Sequence, residues 1–275
     1  MKKVNKLHIL SWNVNNKDCS NFVDSIVENK LSYSENEPII ACLQEVPYGT
    51  FKKSNHCFFE LMVGMHSDEP GGLRFPKFIH WGPAVILPKN AIFLSEYTPS
   101  YFNNALMRNI DGGTEIGIRS TKWITFKLNG CMYIIISVHC SNKENKRDLL
   151  IRSIFEDGKR FANSGLNVII AGDFNTTPEQ WKKYDLCGFD TDKMAFDTSD
   201  NRQITNINPD GTFYDRIDYI FTCFKNNYKL EKEDIKGIDN SDLPRTKRRM
   251  CTEMSSNGYD HAILIHSFSL CNSKN

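Results

Sequence analysis

Val168-Ile-Ile-Ala-Gly-Asp-Phe-Asn175 is the stretch on which the fold turns. A short apolar run, rich in β-branched residues, meets a glycine and then a carboxylate and an amide. Such a run, ended by a turn signal, reads as a strand buried on both faces. If the strand continues locally past Gly172, Asp173 and Asn175 project to the same side. There the carboxylate and the amide can orient a water and donate to a phosphate oxygen. The same arrangement recurs at Leu10-Ser-Trp-Asn13, at Leu43-Gln-Glu45, and at Gly258-Tyr-Asp-His261 ahead of Ala262-Ile-Leu-Ile265. One polar residue in such a place is an ordinary strand end, where a chain leaves the core. Four sets of them together are not.

Working outward, similar apolar runs at 7–14, 39–46, 84–87, 123–128, 132–138, 168–171, 217–221 and 262–268 predict strands. The runs at 123–128 and 132–138 flank Asn129-Gly130, a dipeptide suited to a type I′ turn, so they predict an antiparallel hairpin and a sheet that is not wholly parallel. A helix is expected over 144–161, where Leu149, Leu150, Ile154, Phe155 and Phe161 form an apolar face that ends near Ser164-Gly165. A second should start after Pro178 and carry Trp181, and residues 18–30 offer a third. Helices alternating with strands, plus a hairpin, imply an α/β domain in which helices cover a mixed sheet or a pair of sheets.

The chain has 275 residues and no Pro/Gly/Ser-rich linker, which suits one domain over 1–275. A formal net charge of +1 argues against a general nucleic-acid coat while leaving room for a local basic patch. The N-terminal lysines are followed by a segment that His8, Ser11 and Asn13 interrupt, unlike a signal peptide, and no stretch is apolar enough to form a transmembrane segment. Nine cysteines without a Cys-x-x-Cys pair suit reduced thiols in a cytoplasmic protein and disfavour a zinc site. Nothing in the sequence calls for an obligate protein partner.

Glu45 ends one predicted strand and Asp260-His261 precedes the last. Acidic and amide oxygens are the donors that Mg²⁺ requires. Asp218, in Arg216-Ile-Asp-Tyr-Ile220, is a polar residue in an apolar strand and is costly to bury alone. His261 is its expected partner, because a carboxylate on one ring nitrogen fixes the tautomer and raises the basicity of the other. His139, in Ser137-Val-His-Cys-Ser141, offers a second imidazole to a phosphoryl group.

Taken in order, Ser11-Trp-Asn13, Gln44-Glu45, Ser137-Val-His139, Gly172-Asp-Phe-Asn175, Arg216-Ile-Asp-Tyr219 and Asp260-His261 resemble the endonuclease/exonuclease/phosphatase superfamily, the deoxyribonuclease I-like group. The resemblance covers nearly the entire chain. It implies a four-layered α/β sandwich, with two mixed β-sheets packed face to face and helices outside, and a metal-dependent phosphoesterase site at one rim. It further implies Glu45 as the principal Mg²⁺ ligand, Mn²⁺ being a possible substitute, with Asn13 and Asp260 in the metal shell. Asp173 and Asn175 would orient water and phosphate, Asp218 would hold His261, and His139 would stabilise charge developing on phosphorus. Which side chain takes the water's proton is not fixed by the resemblance. Tyr259 stands where the family usually has serine, which bears on fine mechanism. His139 resembles the deoxyribonuclease I, tyrosyl-DNA phosphodiesterase and poly(A) deadenylase branches, and departs from apurinic endonucleases.

Two segments bear on substrate. Arg74-Phe-Pro-Lys-Phe-Ile-His-Trp81 interleaves cations with aromatics, as base stacking and phosphate neutralisation require, with Arg74 and Trp81 as candidate contacts. Arg245, Lys247, Arg248 and Arg249 form a basic run shortly before Asp260. The sequence thus predicts a Mg²⁺-dependent nuclease acting on DNA or RNA. Its rivals are a phosphoinositide phosphatase or sphingomyelin phosphodiesterase, and a catalytically silent binding module of the same fold.

Overall fold

The computed structural model describes residues 6–15, 37–47, 57–60, 81–88, 90–97, 121–196, 205–207, 214–225, 228–236 and 261–270. One sheet has six strands, in the order β12 (Tyr228–Lys236), β13 (Ile263–Leu270), β1 (Lys6–Asn13), β2 (Ile39–Pro47), β4 (Trp81–Leu87) and β3 (Cys57–Glu60). A second sheet has five, in the order β11 (Asp218–Cys223), β8 (Asn167–Asp173), β7 (Cys131–His139), β6 (Thr121–Leu128) and β5 (Ile92–Glu96). Both are mixed: β1 runs parallel to β2 and β7 parallel to β8, while the other pairs within them are antiparallel. The expected hairpin closes on Asn129 (φ 51°) and Gly130 (φ 86°), the two positive angles a type I′ turn demands.

Strand periodicity sorts the core into layers. Ile134, Ile136 and Val138 of β7 and Val168 and Ile170 of β8 pack against Leu150, Ile151, Ile154 and Phe155 of helix α1 (Glu144–Asn163). The alternate residues Tyr133, Ile135, Ile169 and Ala171 face Leu7, Ile9, Ile40, Cys42, Leu264 and Phe268 of the other sheet. The six-stranded sheet buries its remaining face as well, through Leu10, Trp12, Leu43 and Ile265, so both sheets are covered on both sides as a four-layered α/β sandwich requires. Helix α2 (Pro178–Trp181) carries Trp181 as expected and is a single turn.

Three differences from the sequence reading have physical causes. Helix and strand boundaries extend by one to a few residues where pairing or packing continues past the apolar run, as at β4. Strands β3, β5, β9 (Asn206–Ile207), β10 (Tyr214–Asp215) and β12 are additional. Strand β5 is exposed at every residue and β12 reads as a charged run, so neither offers the apolar signal used to find strands. The backbone of Trp81, expected in a substrate loop, pairs with Pro47 as the first residue of β4. The expected helix at 18–30 lies outside the described residues.

Glycine 172 has a specific task. A Cβ there would sit 1.9 Å from the Val138 carbonyl oxygen, so only glycine lets β7 and β8 stay in register up to the pair His139–Asp173. Among the described residues, no helix is long and apolar enough to cross a membrane.

Candidate active site

The periodicity that builds the inter-sheet core also builds the site. Asn13 follows Leu7 and Ile9 in parity on β1, Asp173 follows Ile169 and Ala171 on β8, His139 follows Tyr133 and Ile135 on β7, and Asp218 precedes Ile220 on β11. Each points into the space between the sheets at the rim where the apolar residues stop. Glu45 has the opposite parity to Cys42 and would face outward on a regular strand. Pairing of β2 with β4 slips between Leu43 and Val46, so Gln44 and Glu45 together oppose Pro83, which has no N–H to give a ladder. Glu45 adopts φ 53°, a left-handed conformation that costs a non-glycine residue on the order of 1 kcal/mol. The bulge turns its carboxylate inward.

Asn13 Nδ2 donates to Glu45 Oε1 at 3.3 Å and to Asp173 Oδ2 at 3.1 Å, bridging the two carboxylates. Its Oδ1 accepts the N–H of Asn15 at 3.0 Å, which fixes the amide's orientation. His139 Nε2 lies 3.5 Å from Glu45 Oε1 and 3.8 Å from Asp173 Oδ2. His261 Nδ1 lies 2.9 Å from Asp218 Oδ2, and its Nε2 is 3.7 Å from Asp173 Oδ2. The expected pairing of Asp218 with His261 is thus present, both side chains being almost completely buried. Trp12 Nε1 donates to the His261 carbonyl at 3.2 Å and anchors its backbone. Gln44 bridges the sheets through Ser137 Oγ at 3.2 Å.

Burial raises the pKa of Asp173 above the usual carboxylate value. The charges of His261 and His139 oppose that shift, and Asp218 adds to it.

Asn175 is the point at which the local expectation fails. Strand β8 ends at Asp173, and Asn175 turns to φ 47°, so the two side chains do not run parallel. The Asn175 N–H caps Asp173 Oδ1 at 2.8 Å and its Nδ2 donates to the Cys140 carbonyl at 2.8 Å. Buried Arg147, from α1, donates to the Asn175 carbonyl at 2.7 Å and braces this loop. The sequence carries no sign of Arg147's part, since an arginine on a charged helix reads as surface. Nor did it signal Asn206, whose Nδ2 lies 2.9 Å from His261 Nε2 across 55 residues of chain. Asp260, Arg74, Arg245, Lys247, Arg248 and Arg249 lie outside the described residues, as does the side chain of Trp81.

The donors suit a hard divalent cation. They are the carboxylate oxygens of Glu45 and Asp173, with the amide nitrogen rather than the oxygen of Asn13 turned toward them, and the thiol of Cys140 packs on the opposite, helix-covered face of its sheet. Asp173, Asp218 and His261 have ligand atoms within 4.8 Å of one another, a spacing that would also admit a cation. There Asp218 Oδ2 and His261 Nδ1 are engaged with each other, while Asp218 Oδ1 is buried without a hydrogen-bond partner. On the other side of the cluster the Glu45 carboxylate is partly exposed, 22% of its side chain facing solvent.

The chain belongs to the Endonuclease/Exonuclease/phosphatase family, whose model matches residues 10–223. This is a family of hydrolytic phosphoesterases that are typically divalent-metal dependent. Among solved structures, a humanized D. rerio TDP2 carrying 14 mutations is 18% identical with a TM-score of 0.64, and the match covers 96% of this chain and 99% of that one. A D. rerio TDP2 complexed with single strand DNA product is 19% identical, TM-score 0.62, covering 96% and 99%. The human nocturnin catalytic domain with bound sulfate anion is 15% identical, TM-score 0.58, covering 97% and 95%. At these identities the likeness is one of fold. Among curated proteins the sequence finds no match.

Proposed function

We propose that this protein is a Mg²⁺-dependent phosphodiesterase that hydrolyses nucleic acid by in-line attack of water on phosphorus. The observation that carries the reading is the convergence of Glu45, Asp173, His139, His261 and Asn13 at one rim of the inter-sheet space. Glu45 would hold the cation, and Asp260 would complete the shell. Asn13, which here turns its amide nitrogen to both carboxylates, keeps Glu45 and Asp173 at a fixed separation. When bound, the metal supplies Lewis-acid polarisation of a phosphoryl oxygen and stabilises the leaving oxyanion.

The remaining roles belong to the chain's own groups. Asp173, held by the Asn175 N–H and by Asn13, orients the attacking water. Asn175 contributes by shaping that loop and presenting its N–H. Asp218 accepts a hydrogen bond from the Nδ1–H of His261, which leaves the lone pair on Nε2, the ring nitrogen on the side of Asp173. His139 stands next to both carboxylates, where its ring can stabilise charge on phosphorus.

Nucleic acid is favoured over lipid by the basic run Arg245–Arg249 and by Arg74-Phe75…Trp81, a composition suited to phosphates and unpaired bases. The single strand DNA product in the D. rerio TDP2 complex supports the same choice. The test is a panel of single-stranded DNA, duplex DNA, RNA and phosphoinositides with Mg²⁺, alongside a salt titration of binding. Changing Arg245, Lys247, Arg248 and Arg249 to Ala should weaken nucleic-acid binding and flatten its salt dependence while leaving turnover at saturation nearly intact. Equal affinities and slopes would remove the basic run from the site. Preferential phosphoinositide hydrolysis would move the protein to the lipid-directed branch.

A further inference from the structure

Thr205 and Asn206 belong to none of the motifs that mark the site, yet they hold both halves of the Asp218–His261 pair. Thr205 is wholly buried. Its hydroxyl accepts the N–H groups of Ile217 and Asp218, each at 3.1 Å. Its carbonyl accepts the N–H of Ala262 at 2.7 Å, and its own N–H donates to the Asp215 carbonyl at 3.0 Å. One residue therefore sets both where β11 begins and where the chain enters β13, which is to say the separation of Asp218 from His261.

Asn206 goes a step further and touches the imidazole. It bridges His261 through the backbone in antiparallel fashion, and its Nδ2 approaches His261 Nε2 to 2.9 Å. An amide nitrogen can only donate, so this contact needs the lone pair at Nε2 and puts the ring proton on Nδ1. Asp218 Oδ2, 2.9 Å from Nδ1, asks for the same tautomer. A single hydrogen bond leaves a ring free to rock about it, whereas bonds at both nitrogens fix its plane. The second bond also matters because Asp173 Oδ2 waits 3.7 Å from Nε2. Without the amide, the imidazole is free to tilt onto that carboxylate, and both groups would then be occupied with each other instead of with water and phosphate.

We propose that Asn206 is a positioning residue of the hydrolytic site. It keeps the His261 ring in the Nδ1–H tautomer and off the Asp173 carboxylate until the phosphate takes its place at Nε2, and Thr205 sets the spacing within which it does so. The proposal rests on the phosphodiesterase reading for its effect on rate, and on the geometry alone for its effect on the ring.

The experiment compares wild type with Asn206→Leu, which is similar in size and has no donor, using two readouts. Long-range proton–nitrogen NMR on histidine-labelled protein, assigned with His261→Ala, should show Nε2 of wild type unprotonated and hydrogen-bonded. In Asn206→Leu that resonance should move toward the value of a free, unprotonated ring nitrogen. Steady-state kinetics should show kcat lowered about tenfold, the scale of one lost hydrogen bond at a reacting nitrogen, with KM within about twofold. Asn206→Ser, smaller but still a donor, serves if the leucine variant does not fold, and it should recover part of both signals. A wild-type Nε2 that carries the proton overturns the proposal, as does a folded variant with an unchanged resonance or unchanged kcat. If wild type hydrolyses no phosphodiester at all, the reading of the function fails, while the NMR comparison still decides the role of Asn206.

Discussion

Strand β8 begins and ends on a buried, inward-facing polar side chain, and the two are satisfied in different ways. Asn167 at its start donates to the Met132 carbonyl at 3.1 Å and accepts the Lys225 N–H at 2.8 Å, so both ends of its amide are spent on neighbouring backbone. Asp173 at its finish gives one oxygen to the Asn175 N–H and shares the other among Asn13, His139 and His261, which come from three other segments of the chain. A buried polar group tied to backbone stitches elements together. One that faces titratable side chains across a gap between two sheets is placed for chemistry, and its neighbours are the ones to test.

The difference can be broken or sharpened by substitution at each end. His261→Ala should lower turnover per folded molecule by about 10²- to 10⁴-fold, the range expected for losing a positioned acid–base group. Asp218→Asn should cost less, since it leaves an imidazole with an unsupported tautomer. The double variant should lose less than the product of the two, and strictly multiplicative losses would separate Asp218 from His261. At the other end, Asn167→Ala should reduce stability by about 2 kcal/mol through the two backbone groups it orphans, measured by denaturant unfolding. Turnover per folded molecule should stay at the wild-type level. A loss of kcat there would erase the distinction between the two ends.

Much of this was legible in the chain. Eight predicted apolar runs became strands because continuous burial on two faces leaves a continuous apolar signal, and the Asn129-Gly130 turn carries its own conformational requirement. Glu45 could be picked from its company but not aimed, because nothing in Leu43-Gln-Glu45 announces the bulge that reverses its direction. The one local cue is Pro83 on the facing strand, which cannot complete a regular ladder. Asn175 was expected to point with Asp173, and the left-handed turn after Gly172 prevented it. Asn206 and Arg147 were invisible for a simpler reason. Their contacts with His261 and Asn175 span 55 and 28 residues, and no periodicity or turn chemistry relates such distant positions.

The central claim is that the inward-turned carboxylate of Glu45 makes this rim a metal-dependent hydrolytic site. Its most direct test is a Mg²⁺ titration of phosphodiester hydrolysis by wild type and Glu45→Gln, with EDTA controls. Wild-type activity should vanish in EDTA and return with Mg²⁺ or Mn²⁺. Glu45→Gln should need more Mg²⁺ to reach half-maximal activity and should plateau lower, because a neutral amide is a weaker ligand for a hard cation. Undiminished turnover in metal-free buffer, or a Glu45→Gln titration that overlays wild type, would contradict the account.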